Sequence, residues 1–458
     1  MPTLRTLPLI SFLILLVTAL HGAPTYAGTV KPYAGVGTQS TDYSVTVNGQ
    51  NVPVNAWVHG GGTAHYAHFE FTGTVTIQIT NKLGNFEATA ISPKRFSITP
   101  TISEDTATFN LSTPRKLVVY TGNTRIFIFA DGPETTPSQS NLLPGTLQHA
   151  PSHYTLFSGQ EAPASLTGSL DFLSNPLRGV RMIGRGHYQA SRTAELYNLD
   201  NFRMDGLVFR NTNKDNWALI PRYMANSIFS NVKLLTQLPG RDGIDIDKSH
   251  HVTIEDSFIF SGDDAICLKT HPGRFPVGVT SSAYGDIGTP QPPAPDHDIM
   301  IRDSTLISGW NAMKFGPETS ADYYNVTFEN IDVLEGYSGI SVERVKALQN
   351  IHFHNVRMEK ITGQYFMYME YTYATKPGTI YVDNLVVDQA KGISIISTHQ
   401  KMDIFFTHLT VAGRRITSLA DLQQVAGAAN VVVSENVGLY FDNPTPDTQV
   451  PSVPGTLR

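Results

Sequence analysis

A loose internal repeat governs the chain from about residue 179 onward, and no other feature limits the choice of fold as sharply. Its unit is an apolar residue, any residue, then Asn, Asp or Gly, and in most copies another apolar residue. The third position falls at Gly206, Asn231, Asp256, Asp303, Asn330, Asn355, Asn384 and, degenerately, His408, at intervals of 25, 25, 47, 27, 25, 29 and 24 residues. Short apolar runs of strand length lie between, such as Val252-Thr253-Ile254 and Phe258-Ile259-Phe260. A period near 25 built from short strands predicts a right-handed parallel β-helix, in which each coil buries its apolar face only by stacking on the next. Asn suits the repeated position because its amide bonds the backbone at a tight turn and tolerates left-handed geometry. A leucine-rich repeat would show helical spacing and more Leu, and this stretch has neither. The one long interval contains residues 272–295, rich in Gly and Pro, which read as a loop inserted beside one coil.

Within the repeat region, residues 241–271 read RDGIDIDKSHHVTIEDSFIFSGDDAICLKTH. The run Ile244-Asp245-Ile246 recurs 22 positions later as Ile266-Cys267-Leu268. Stacked as neighbouring rungs, about 4.8 Å apart, the two runs bring Asp242 against Asp263 and Asp264. Like charges held at that range raise one another's pKa. Such a cluster points to acid–base chemistry, to a cation such as Ca²⁺, or to sugar hydroxyls. Continuing the alignment stacks Met313-Lys314-Phe315 and then Ile340-Ser341-Val342. Trp310 is then expected above Asp263, as a sugar-stacking ring, and Asn311 above Asp264. Lys269 and Lys314 fall near the acids, either to bind substrate or to act as counter-charges.

D-G-I-D followed by G-D-D, with Asp263 21 positions after Asp242, resembles glycoside hydrolase family 28, the polygalacturonases. The likeness runs on through Asp264-Ala265-Ile266-Cys267-Leu268-Lys269 and covers roughly residues 179–411. It implies a secreted inverting hydrolase on a parallel β-helix. Asp263 matches that family's general acid, and Asp242 and Asp264 match the pair that activates water. Carboxyl groups about 6.5–9.5 Å apart are expected for inversion. The resemblance breaks at the next rungs. Where polygalacturonases have Gly-His-Gly, this chain has Gly309-Trp310-Asn311. Where they have Arg-Ile-Lys to grip a uronate, it has Gly339-Ile340-Ser341-Val342, with Glu343 and Arg344 only afterwards. Gly240-Arg241 also replaces the family's Asn-Thr before the first Asp. Asp245, Lys269, Trp310, Asn311, Lys314 and Arg344 are therefore the expected substrate-binding set. A pectin-type galacturonide is the first expectation, and a neutral α-glucan or galactan the second. A non-catalytic carbohydrate-binding β-helix would leave the acids without a use. A polysaccharide lyase would want Ca²⁺ with a Lys or Arg base.

Around this centre the chain divides into a signal peptide (1–27), an antiparallel β-sandwich (28–134), a linker and lead-in segment (135–178), the β-helix (179–415) and a C-terminal cap and tail (416–458). Arg125-Ile126-Phe127-Ile128-Phe129-Ala130-Asp131-Gly132-Pro133 faintly resembles the end of the sandwich in glycoside hydrolase family 49, the dextranases and isopullulanases. Cys267 is the single cysteine, which excludes an intramolecular disulfide and a thiolate metal site. A net charge of −6 argues against nucleic acid and anionic membrane as partners. The expected partner is a polysaccharide, met by a monomer with no cofactor and no metal. His250-His251 and His352-x-His354 fall at coil turns with no third ligand of matching phase. Residues 365–373, YFMYMEYTY, serve either as a sugar platform or as core filling.

Overall fold

The computed structural model describes residues 28–134, 153–156, 170–171 and 177–442, apart from 60–61, 87–89, 123, 191–192, 198, 212–216, 237–238 and 272–293. The expected signal peptide, most of the linker and lead-in segment, the Gly/Pro-rich interval and the tail after 442 lie outside the described residues.

All eight repeat positions have positive φ, from 44° at Asp256 to 84° at Gly206. The chain thus turns the same corner of each coil through left-handed geometry, which Asn, Asp and Gly enter at the least cost. Side-chain amides tie successive corners together, as where Asn384 Nδ2 donates to Asn355 Oδ1 at 2.6 Å. A second corner column with positive φ comprises Asn226, His251, Asp298, Asn325 and Asn350. His250-His251, expected to lack further ligands, meets His297 and Asp298 of the next coil there.

The coils build a parallel solenoid of about eight turns. One face is a ten-stranded parallel sheet among the described residues. Its central rungs are Trp217–Arg222, Asp242–Asp247, Ile266–Thr270, Asn311–Thr319, Ser338–Glu343 and Tyr365–Tyr371. Ile244 pairs with Ile266, Ile266 with Met313, and Met313 with Ile340. This is the internal column that the spacing predicts, and all four side chains are fully buried. Burying one such side chain is worth about 1.5–3 kcal/mol, so a slip of register is heavily disfavoured. Gly243, inside the D-G-I-D motif, has no room for a Cβ, which would sit 2.4 Å from the Ala265 carbonyl oxygen.

At the C-terminal end Ser418 Oγ accepts from Asp421 N and starts the helix Leu419–Ala426, whose Leu422 and Ala426 join the solenoid core. Val431–Val433 then pairs with the last rung, so the helix and this strand cover an edge that would otherwise be open.

Among the described residues, the N-terminal strands form a six-stranded and a five-stranded sheet around one apolar core. The pairing is antiparallel except where Thr124–Asp131 inserts beside Gly62–Thr72 and runs parallel to it. That inserted strand carries Phe127 and Phe129 onto Phe258 and Phe260 of the solenoid, with ring centroids 5.0–5.1 Å apart. Asp131 at its end meets Lys233 Nζ at 2.5 Å and His68 Nε2 at 2.7 Å, all buried.

Candidate active site

Stacking the D-G-I-D rung beneath the G-D-D rung brings Asp242, Asp263 and Asp264 to the rim of the ten-stranded sheet. One carboxylate oxygen from each lies within 4.8 Å of the others. That is about the span that one water, donating at ~2.8 Å to each side, would bridge. Asp242 Oδ1 accepts from the Asp264 amide at 3.2 Å, and Asp242 Oδ2 meets Lys269 Nζ at 3.0 Å. Asp264 Oδ1 accepts from Asn311 Nδ2 at 2.6 Å and from the Asn311 amide at 3.2 Å, while Lys314 Nζ lies 2.9 Å from Oδ2. Asp263 differs. Its backbone carbonyl accepts from Ser261 and Ser308, but its carboxyl has no hydrogen bond or ion pair among the described residues. Half-buried, it faces an open cavity of about 580 Å³.

The electrostatics follow from that crowding. Burial, and then the neighbouring charge of Asp242, raise Asp263 above the usual carboxylate range. Burial and Asp242 push Asp264 up to about 7, against the pull of Lys314. The lysines move the opposite way. Burial alone would lower Lys269, but Asp245 and Asp242 outweigh it and hold the ammonium charged. Asp264 and Glu343 do the same for Lys314. Two carboxyls that bind their protons more tightly than usual, Asp263 and Asp264, thus sit within reach of two fixed ammoniums, the contrast that general acid–base catalysis draws on. The two lysines, about 3 Å from the acids, leave a hard cation little to gain here.

The expected binding residues divide. Trp310 is 46 % exposed, stacks on Tyr337 at 4.2 Å and 3°, and walls both this cavity and a second of about 360 Å³. Its neighbour Gly309 lies so close to Gly262 that a Cβ would meet the Gly262 carbonyl oxygen at 2.1 Å. Asp245 is fully buried under Lys269 and lines neither cavity, so it does not face a substrate there. Asn311 is 2 % exposed, and Asp264 and Ser338 occupy its amide. It positions Asp264. Lys314 is spanned by Asp264 and Glu343, and Lys269 by Asp242, Asp245 and Glu318. Arg344 is exposed, has left-handed backbone geometry and lines neither cavity. Of 365–373, Tyr365, Tyr368 and Glu370 line the second cavity, while Phe366, Met367, Met369 and Tyr371 fill the core. Trp217, Glu318 and Tyr337 were not foreseen. Trp217 lies directly before Asp242 in the stack, and its ring covers Lys269 Nζ at 4.0 Å.

No family model matches the chain. A curated relative described as a probable polygalacturonase from Vitis vinifera is 26 % identical over 162 residues, which take in 34 % of this chain and only 30 % of that protein. Among solved structures, Dex49A from Penicillium minioluteum matches with a TM-score of 0.50 at 14 % identity, over 88 % of this chain and 94 % of its own. That share exceeds what the solenoid alone provides, so the common fold includes the sandwich. The family 28 exopolygalacturonase of Yersinia enterocolitica gives a TM-score of 0.38 at 9 % identity, over 90 % of this chain and 95 % of its own. The β-helix read from the sequence is borne out by the fold shared with Dex49A, and its likeness to the polygalacturonases by the relative from Vitis vinifera.

Proposed function

We propose that the protein is an exported glycoside hydrolase that cleaves a neutral polysaccharide, an α-glucan or a galactan, with inversion at the anomeric carbon. The observation that carries the reaction is Asp263, a half-buried carboxyl with no hydrogen bond or ion pair among the described residues, which opens to the cavity beside two anchored carboxyl groups. Asp263 gives its proton to the glycosidic oxygen as the bond to the anomeric carbon breaks. A water between Asp242 and Asp264 loses a proton to that pair and adds to the opposite face of the sugar. Inversion fits because both oxygens of Asp242 and of Asp264 are already engaged, by an amide on one side and a lysine on the other. A carboxylate so engaged orients water better than it attacks carbon.

The neutral substrate, in place of the galacturonide expected first, rests on charge. The described residues lining the two cavities include six acids, Asp242, Asp263, Asp264, Glu318, Glu343 and Glu370. Against them stand Lys269 and Lys314, both committed to those acids. A polyuronate would enter a field of its own sign, whereas a neutral glycan needs hydroxyl acceptors and an aromatic wall, here Trp310 with Tyr337. The test is release of reducing ends from dextran, pullulan, a galactan and polygalacturonate, with the product anomer read by NMR in the first minutes. A neutral glycan cut to the inverted anomer is expected. Cleavage of polygalacturonate alone would overturn the substrate assignment, and a retained anomer would overturn the mechanism.

A further inference from the structure

We propose that His251, His297 and Asp298 form a binding site for a divalent transition metal, with Zn²⁺ the fitting ion. The site lies in the larger sheet of the solenoid, apart from the acid cluster, and does not depend on the hydrolase reading. His250 and His297 are in register on successive coils, so His251 and Asp298 occupy the same corner, both with φ of 52°. In the neighbouring coils that corner carries Asn226, Asn325 and Asn350.

One donor atom from each of the three residues lies within 4.8 Å of the others. Asp298 Oδ2 is 2.7 Å from His297 Nδ1 and 3.7 Å from His251 Nε2. Around tetrahedral Zn²⁺, with bonds of about 2.0–2.2 Å, donor atoms stand roughly 3.4 Å apart, a value the two distances straddle. The surroundings fix the donors. His250 Nδ1 meets His251 Nδ1 at 2.9 Å, leaving Nε2 of His251 toward Asp298, as an outer-shell partner of a metal-bound imidazole does. Asn325 Nδ2 donates to Asp298 Oδ1 at 3.0 Å, which leaves Oδ2 for the ion. The His297 ring is held between His250 and Tyr324, stacked at 5.0 and 4.6 Å. Two imidazoles and one carboxylate suit Zn²⁺, whereas Ca²⁺ and Mg²⁺ want oxygen alone. If this corner only continued the hydrogen-bonded ladder, Asn would suffice, as it does in the coils on either side. The ion would clip two coils whose corner residues are 47 positions apart in sequence.

The full-length chain, stripped with EDTA and dialysed against Zn²⁺, should retain one equivalent by elemental analysis and melt at a higher temperature than the stripped form. His251→Asn and Asp298→Asn introduce the residue that this column carries elsewhere, so the metal-free melting temperature should stay within a few degrees of wild type. Each should weaken Zn²⁺ binding at least about tenfold and leave reducing-end release unchanged. If either variant fails to fold, the other decides. Less than half an equivalent retained at about 100 µM Zn²⁺, or unchanged affinity in a folded variant, would overturn the site. The second result would place the ion elsewhere, with the Asp242 cluster as the alternative.

Discussion

Replacing Asp263 by Asn removes an ionisable proton and strands nothing. Its carboxyl has no hydrogen bond or ion pair among the described residues, and it sits beside a like charge on Asp242. Stability should therefore hold or rise slightly, which separates this substitution from one that breaks a buried pair. The cost falls on catalysis. A positioned general acid is worth about 10²–10⁴ in rate, and the middle of that range, 10³, corresponds to about 4 kcal/mol of transition-state stabilisation. The informative assay pairs two substrates, the polysaccharide and a dinitrophenyl glycoside of the same sugar. The nitrophenolate departs without a proton, so only the first reaction needs the acid. Asp263→Asn should lose about 10³ in kcat on the polysaccharide but stay within about tenfold of wild type on the aryl glycoside. The variant should also lose the alkaline limb of the pH–rate profile, since the raised Asp263 must be protonated to act. Asp242→Asn should fail on both substrates, because water activation is needed in each. An equal loss on both substrates in Asp263→Asn would remove this residue from the acid's role.

Two further outcomes follow from the same geometry. Trp310→Ala removes an exposed ring that walls both cavities, and an aromatic contact of about 0.5–1.5 kcal/mol corresponds to a two- to tenfold rise in KM with kcat little changed; an unaltered KM would deny the ring a binding role. Asp264 is raised to about 7 in the folded state, above its value in the unfolded chain. Its contribution to stability is therefore complete below about pH 4 and is lost as pH rises to 7. Lys314 stays charged throughout that window and does not alter the sign. The melting temperature should fall between pH 5 and pH 8, and Asp264→Asn should flatten the slope. A slope left intact in the variant would point to other groups.

What was legible in the sequence was local or periodic. The corner residues show themselves because each of them, independently, must enter left-handed geometry. The acids show themselves because one rung of register carries Asp242 to Asp264, with Asp263 beside it. Trp217 was within reach of the same counting, since it stands 25 residues before Asp242. Depth was harder. Strand alternation assigns Asp245 to the outward face between Ile244 and Ile246, but Lys269 covers it. Alternation decides direction, and neighbouring rungs decide exposure. Glu318 was beyond phase counting altogether. Leu268 pairs with Phe315 but Thr270 with Thr319, so the register slips near Gly316-Pro317 and turns Glu318 onto Lys269. The lysines looked equally suited to gripping a substrate and to neutralising acids. Only the full set of carboxylates around each one decides between these uses.

The corner ladder also bears on how such a chain can diverge. Rung Ile266–Thr270 ends a coil, and the next described strand begins at Asp296, yet Glu255 still pairs with Arg302 and Phe258 with Thr305. The solenoid has absorbed an insertion of some twenty residues and returned to the same phase. Length can thus be added after a rung without moving a carboxylate, because the corners on either side reset the path. Selection can lengthen, shorten or exchange the chain between rungs, and so reshape what reaches the cleft, while the acids keep their spacing. Two descendants of one ancestor could then differ widely in the glycan they accept and still share the same three Asp residues.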